Sequence, residues 1–134
     1  MKKIKNAVRL SSLPMTISLL ILILFRFVFL LGYVPTASME PALKTGSLLL
    51  GVRVWGDIQK GDIIVFRHNK EYLVKRVEAV EGDLIESNGE NLVVPEGGFY
   101  VLGDNGQCSY DSRYWEYPFV MNDDIVAKVI LPTR

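Results

Sequence analysis

From Leu13 to Val34 the chain carries a single charge, Arg26, and Ile17 to Phe25 reads ISLLILILF. No other stretch limits the possible folds so sharply. A bilayer core of ~30 Å takes about 20 mostly apolar residues in a helix. Leu10 to Phe25 is short of that, about 24 Å at ~1.5 Å per residue, but Arg26 can reach the interface with its stem in the apolar layer. Lys2, Lys3, Lys5 and Arg9 precede the run, and no acidic residue occurs before position 35. Basic flanks stay in the cytoplasm, so the expectation is one uncleaved transmembrane helix with everything after it outside, and Phe27, Val28, Phe29 and Tyr33 near the membrane surface. A cleaved secretory signal and a buried core helix are the alternatives. The first finds small residues only at Thr36-Ala37-Ser38, and the second fits poorly with four leading cations.

The balance of charge changes after this segment. The chain has 15 basic and 15 acidic groups, but residues 35–134 hold ten of the first and all of the second, a net charge of −5. That excludes a nucleic-acid binder read from bulk electrostatics. One cysteine, Cys108, and one histidine, His68, exclude an internal disulfide and a Cys/His zinc site. The division expected is 1–34, a basic tail, span and interfacial segment, and 35–134, an extracytoplasmic domain.

Within 35–134, short runs of Leu, Val, Ile, Phe and Tyr alternate with Gly, Asp and Asn. Leu48–Val54, Asp62–Arg67, Tyr72–Val80, Leu84–Glu86, Leu92–Val94, Phe99–Leu102 and Ile125–Leu131 have the lengths of strands. Gly56-Asp57, Lys60-Gly61, Gly82-Asp83, Asn88-Gly89 and Gly97-Gly98 are turn signals, Asn88-Gly89 being a two-residue hairpin cue. No helical stripe follows Pro41. The fold class is therefore mainly β, a compact antiparallel sheet behind one amino-terminal helix.

Three places are unusual for a plain β domain. In Tyr33-Val-Pro-Thr-Ala-Ser38-Met-Glu-Pro41 the two prolines push Val34 and Glu40 towards extended backbone. Ser38 is thus held in a stretch that cannot become helix, although a Ser-x-x-Pro taken alone is usually a turn. On a strand from Tyr72 to Val80, Lys75 shares its face with Leu73, Val77 and Ala79, while Arg76 has Glu78 as a same-face neighbour. Burial disfavours an ammonium and lowers its pKa, which a lysine general base near neutral pH requires. A snorkelling edge-strand lysine is the bland alternative. The third place is the polar loop from Gly103 to Trp115, with Asp104, Asp111 and Arg113. Its spacing lacks the repeat of a calcium loop, and a bidentate Arg113–carboxylate pair is the economical use. A serine hydroxyl is a weak nucleophile until a neighbour takes its proton, and Ser-Lys is a known variant of the Ser-His-Asp arrangement. His68, in Phe66-Arg67-His68-Asn69-Lys70, reads as a polar hairpin tip.

These blocks, in this order, resemble type I signal peptidases of the minimal bacterial form, membrane-bound Ser-Lys endopeptidases that remove signal peptides from exported proteins. The resemblance runs from the basic start through Pro35-Thr36-Ala37-Ser38-Met39-Glu40-Pro41, Gly61-Asp62-Ile63-Ile64-Val65-Phe66, Val74-Lys75-Arg76-Val77 with Gly82-Asp83, and Gly103-Asp104-Asn105 to Ser109-x-Asp111-Ser112-Arg113-Tyr114-Trp115. It implies the sheet shared with self-cleaving repressors of the LexA type. It also implies Ser38 as nucleophile, Lys75 as general base, the Ser38 N–H and Thr36 hydroxyl as oxyanion donors, and Ser109 as the lysine-orienting group. Asp104, Asp111, Ser112 and Arg113 become loop supports, and Val34, Met39, Leu43, Leu73 and Val74 the lining of pockets for small side chains. The implied partners are a lipid bilayer and a preprotein signal peptide, bound as an extended strand between residues 32–37 and 72–75. No metal or cofactor, no nucleic acid and a monomer are expected. Gly106-Gln107-Cys108, where the family commonly has Arg after Gly-Asp-Asn, departs from the pattern and leaves room for a maturation peptidase dedicated to one client. A non-catalytic membrane-tethered β module is the remaining alternative.

Overall fold

A computed structural model describes residues 2–87 and 89–132, with side chains from Ser12 onward. The cations Lys2, Lys3, Lys5 and Arg9, and Asn88 of the hairpin cue, fall outside the described side chains. Helix α1 runs Lys2–Phe27 with Pro14 inside it. From Leu13 to Phe25 its large apolar side chains are exposed on every side, so the helix is not packed as a core element. Among the described residues no helix is long and apolar enough to cross a membrane.

The helix leads directly into strand β1, Phe29–Tyr33, a strand that sequence reading left as an interfacial segment. After it come β2 (Leu48–Val52), β3 (Ile63–His68), β4 (Glu71–Val80), β5 (Leu84–Ser87), β6 (Glu90–Val93), β7 (Gly98–Leu102), β8 (Val120–Met121) and β9 (Ile125–Leu131). Seven strands form one sheet in the order β1-β2-β9-β3-β4-β7-β8, with every pair antiparallel, and β5-β6 is a separate ribbon.

Both faces of the sheet are covered, which explains why β3 reads as an unbroken apolar run. Its Ile63 and Val65 join Val34, Met39, Leu43, Leu49, Ala127 and Val129 in one apolar layer. Its Ile64 and Phe66 join Val77, Phe99, Val101, Trp115, Val120 and Ile125 in the other. Strands β3 and β4 form a hairpin in register from Ile63↔Arg76 to His68↔Glu71. Its turn residues, Asn69 and Lys70, have φ of 48° and 71°, the positive values a tight two-residue hairpin demands. His68 lies at this tip, stacked on Trp115 with ring centroids 4.1 Å apart.

One topological detail positions the site. Strand β4 pairs with β3 along Glu71–Arg76, but with β7 only from Arg76 onward. Tyr72–Lys75 therefore keep an unpaired backbone edge on the side away from β3, and β1 is itself an outer strand.

Candidate active site

Ser38 lies in a single 3₁₀ turn, Ala37–Met39, flanked by extended Thr36 (φ −129°, ψ 159°) and Glu40 (φ −70°, ψ 143°). The prolines thus act as expected on Glu40, but the stretch is not wholly non-helical. One short turn fits because it fixes only three residues, and Leu43 N–H continues it by donating to the Met39 carbonyl. Met39 and Leu43 anchor the turn in the apolar layer below it.

Lys75 sits on β4 opposite the fully buried Ile64, with Leu73 and Val77 as its neighbours two residues either way. Its amine donates to Ser38 Oγ at 2.8 Å. Lys75 is 3% exposed and Ser38 8%. Burial pushes the lysine below its ordinary pKa, and the nearby negative Asp111 offsets part of that. Burial thus favours the uncharged form of the amine beside the hydroxyl. Thr36 Oγ1 donates to the same Ser38 Oγ at 3.3 Å.

The loop after β7 closes the site from the other side. Asn105 N–H donates to the Ser38 carbonyl at 3.0 Å. Gly103 leaves no room for a side chain: a Cβ there would lie 2.6 Å from the Ser38 carbonyl oxygen and collide with Ser109 Oγ. Asp111, 0% exposed, accepts Arg113 Nε at 2.8 Å and Nη2 at 2.9 Å. It also accepts the Gly103 N–H at 2.9 Å and Ser109 Oγ at 2.6 Å. Burial alone would raise the Asp111 pKa, but the Arg113, Gly103 and Ser109 hydrogen bonds together hold it below the usual carboxylate range. Ser112 is fully buried and accepts the Val101 N–H at 3.0 Å, tying the loop to β7.

Three expectations are corrected by this geometry. The Ser109 hydroxyl goes to Asp111, and among the described residues the amine of Lys75 bonds to Ser38 rather than to Ser109; a buried carboxylate is the stronger acceptor. Leu43 does not line the cleft. It is fully buried in the core beneath. Arg76 turns away from exposed Glu78 and forms a two-pronged pair with Asp104, at 2.8 and 2.7 Å, while its Nη1 donates to the Gly61 carbonyl. A bulge between Val77 and Ala79 breaks the strand's alternation, and the Arg76↔Leu102 register brings Asp104 alongside. The pair is 28 residues apart in sequence, so no local pattern announced it.

Between β1 and the free edge of β4 runs a mostly apolar cleft of about 520 Å³, with Ser38, Lys75 and Thr36 in its wall. Val34, Met39, Leu73 and Val74 are among the residues that line it. Leu30, Tyr33, Arg53, Glu71, Tyr72 and Val126 line it too. Tyr33 and Tyr72 fall inside the substrate segments expected from sequence, 32–37 and 72–75; Leu30 was missed because β1 was not recognised as a strand, and Arg53, Glu71 and Val126 lie in no motif.

A serine hydroxyl hydrogen-bonded to a buried lysine amine in the wall of an open cleft is the arrangement of a serine hydrolase. Sequence comparison agrees. The family described as Signal peptidase, peptidase S26 matches residues 7–94 and 87–133. Signal peptidase I of Leptolyngbya laminosa is 28% identical over 135 residues, an alignment covering 74% of this chain and 66% of that protein. Signal peptidase IB of Staphylococcus aureus (strain Mu50) is 29% identical over 138 residues, covering 69% of this chain and 71% of the relative. This chain belongs to the Signal peptidase, peptidase S26 family, and it spans just under two thirds of the length of the Leptolyngbya relative.

Proposed function

We propose that the protein is a membrane-anchored serine endopeptidase that cleaves signal peptides from exported preproteins after small residues, with Ser38 as nucleophile and Lys75 as its base. The observation that carries this reading is the 2.8 Å contact between Lys75 Nζ and Ser38 Oγ, made by an amine with almost no access to water. Neutral Lys75 takes the Ser38 proton as Oγ attacks the scissile carbonyl. The resulting ammonium gives that proton to the leaving amine, so the peptide bond breaks and an acyl ester on Ser38 remains. Lys75, neutral again, then deprotonates the water that hydrolyses the ester. The Thr36 hydroxyl and the Ser38 N–H receive the developing oxyanion, donors whose individual removal costs about 3–4 kcal/mol of transition-state stabilisation.

The substrate fits as an extra strand between β1 with residues 34–36 and the unpaired edge at Tyr72–Lys75. The apolar lining of Val34, Met39 and Val74 favours small apolar side chains at positions −1 and −3 of the client. Helix α1, apolar all round and exposed from Leu13 to Phe25, serves in this reading as the bilayer anchor. Catalysis beside the membrane then meets clients whose own apolar segments hold them nearby.

The test is processing of a precursor ending Ala-x-Ala in detergent. Wild-type protein cleaves it, whereas Ser38→Ala and Lys75→Met do not; normal cleavage by either variant refutes the dyad. Cleavage of one secreted client but not of general precursors would instead favour the dedicated maturation peptidase, for which the Gly106-Gln107-Cys108 departure speaks.

A further inference from the structure

Strands β3 and β4 run on past both of their neighbours in the sheet. Pairing of β3 with β9 ends at Phe66↔Ile125, and pairing of β4 with β7 begins only at Arg76↔Leu102. The tip of this hairpin, from Arg67 to Tyr72, is therefore paired only within itself. A two-stranded hairpin is marginal in water on its own. Yet the same overhang begins the unpaired edge at Tyr72–Lys75, which ends on the lysine bonded to Ser38.

A side-chain contact holds the overhang where backbone pairing does not. His68, half-buried at the tip, stacks on Trp115 with ring centroids 4.1 Å apart and planes 21° apart. Trp115 is a fixed platform. It is buried, stands edge-on to Phe66 at 6.0 Å and to Tyr110 at 6.4 Å, and ends the loop in which Asp111 and Ser112 are fully buried. On its other side the His68 ring meets its neighbour in the turn, Asn69 Nδ2 lying 3.2 Å from His68 Nε2. His68 does not line the cleft that holds Ser38; it lies in a separate hollow with Lys70, Tyr110 and Tyr117. Any effect it has on the reaction must pass through the strands it restrains.

We propose that His68 is a positioning residue: its stack on Trp115 clamps the β3–β4 tip and keeps the Tyr72–Lys75 edge ordered before a client strand arrives. The proposal rests on the peptidase reading above and deepens it, by assigning the group that pre-organises the client's edge. An edge ordered in advance lowers the ordering cost of binding. A client pairs along that edge alike in the ground state and in the transition state. Loss of the clamp therefore weakens both equally, which raises KM and leaves kcat in place. Damage to the loop beside Ser38 would instead lower kcat.

The experiment compares wild type, His68→Ala and His68→Phe. It measures kcat and KM for an Ala-x-Ala precursor, and the rate at which a small mechanism-based serine acylator labels Ser38. An aromatic stack of this kind is equivalent to roughly three- to tenfold in binding. His68→Ala should raise KM by about that factor with kcat and labelling unchanged, and His68→Phe should restore KM. Because the acylator does not extend along the edge, it separates a disordered edge from a damaged site. Hydrogen exchange read by peptide mass should quicken over residues 67–75 in His68→Ala and stay unchanged over β7. Unchanged KM or unchanged exchange at 67–75 in His68→Ala, labelling that falls as far as cleavage does, or no rescue by His68→Phe overturns the clamp while leaving the peptidase reading intact. No cleavage and no Ser38 labelling by wild type overturns both.

Discussion

Lys75 and Asp111 belong to the same site and are equally hidden from water, yet the protein surrounds them in opposite ways. Asp111 accepts five hydrogen bonds, including both prongs and the backbone N–H of Arg113. It stays charged inside the protein, as buried charges do when fully paired. Lys75 has Ile64, Leu73 and Val77 about it and, among the described residues, a single hydroxyl as hydrogen-bond partner. It is pressed towards its neutral form. The fully partnered group builds the loop, and the under-partnered one is the base in the proposed mechanism. Gly103 joins the two regions, its N–H serving Asp111 and its missing side chain making room for Ser109 and the Ser38 carbonyl.

The sharpest way to break this contrast is to remove the amine. Lys75→Met should cut precursor cleavage by about 10³-fold or more, as loss of a nucleophile's base does, and yet raise Tm, since a hydrocarbon replaces a group that must give up its charge to be buried. A falling Tm would mean that the amine is structural after all. Next in size is Asp111→Asn, which leaves Arg113 without its anion. The carboxylate is buried but the Arg113 side chain is 36% exposed, so the loss is about 1–3 kcal/mol, on the order of 5–15 °C in Tm for a domain of this size; thermal unfolding checks it.

Gly103→Ala should lower activity by about 10²-fold with a smaller loss of Tm, because the added methyl displaces the Ser38 carbonyl and Ser109. Steady-state kinetics on a folded sample reads that displacement.

The pH dependence separates the two groups by sign. Lys75 has a lowered pKa in the folded state, so the unfolded chain binds more protons between that value and the ordinary lysine value. Its destabilising contribution is full below the lowered value and fades as pH rises through the window. Asp111, also lowered, contributes stability that is present above the ordinary carboxylate pKa and lost as pH falls through its folded value. Hence the Tm advantage of Lys75→Met should shrink as pH rises towards 10, while the Tm deficit of Asp111→Asn should shrink only in acid. The smallest effect belongs to Cys108, an exposed free thiol. Cys108→Ser should leave kcat/KM unchanged, and a severe loss would assign that loop a role the contacts do not show.

Much of this was readable in the chain itself because strands and turns are written locally. The Ile63–Phe66 run, the Asn69-Lys70 turn and the apolar neighbours of Lys75 all carry short-range signals. Strand β1 was hidden because its FLLGY continues the apolar helix without a break in composition. Polar pairings were legible only where partners are close: Arg113 to Asp111 spans two residues, but Arg76 to Asp104 spans 28. The destination of the Ser109 hydroxyl likewise depends on where a loop folds, which no spacing records.

The central claim is that a buried, uncharged Lys75 activates Ser38. The most direct measurement is the rate at which a mechanism-based serine acylator modifies Ser38, followed by intact mass from acid to alkaline pH. A single modification at Ser38 is expected, its rate rising with pH through a midpoint below the ordinary lysine value, and lost in Lys75→Met. A rate indifferent to pH, or undiminished labelling in Lys75→Met, would contradict it.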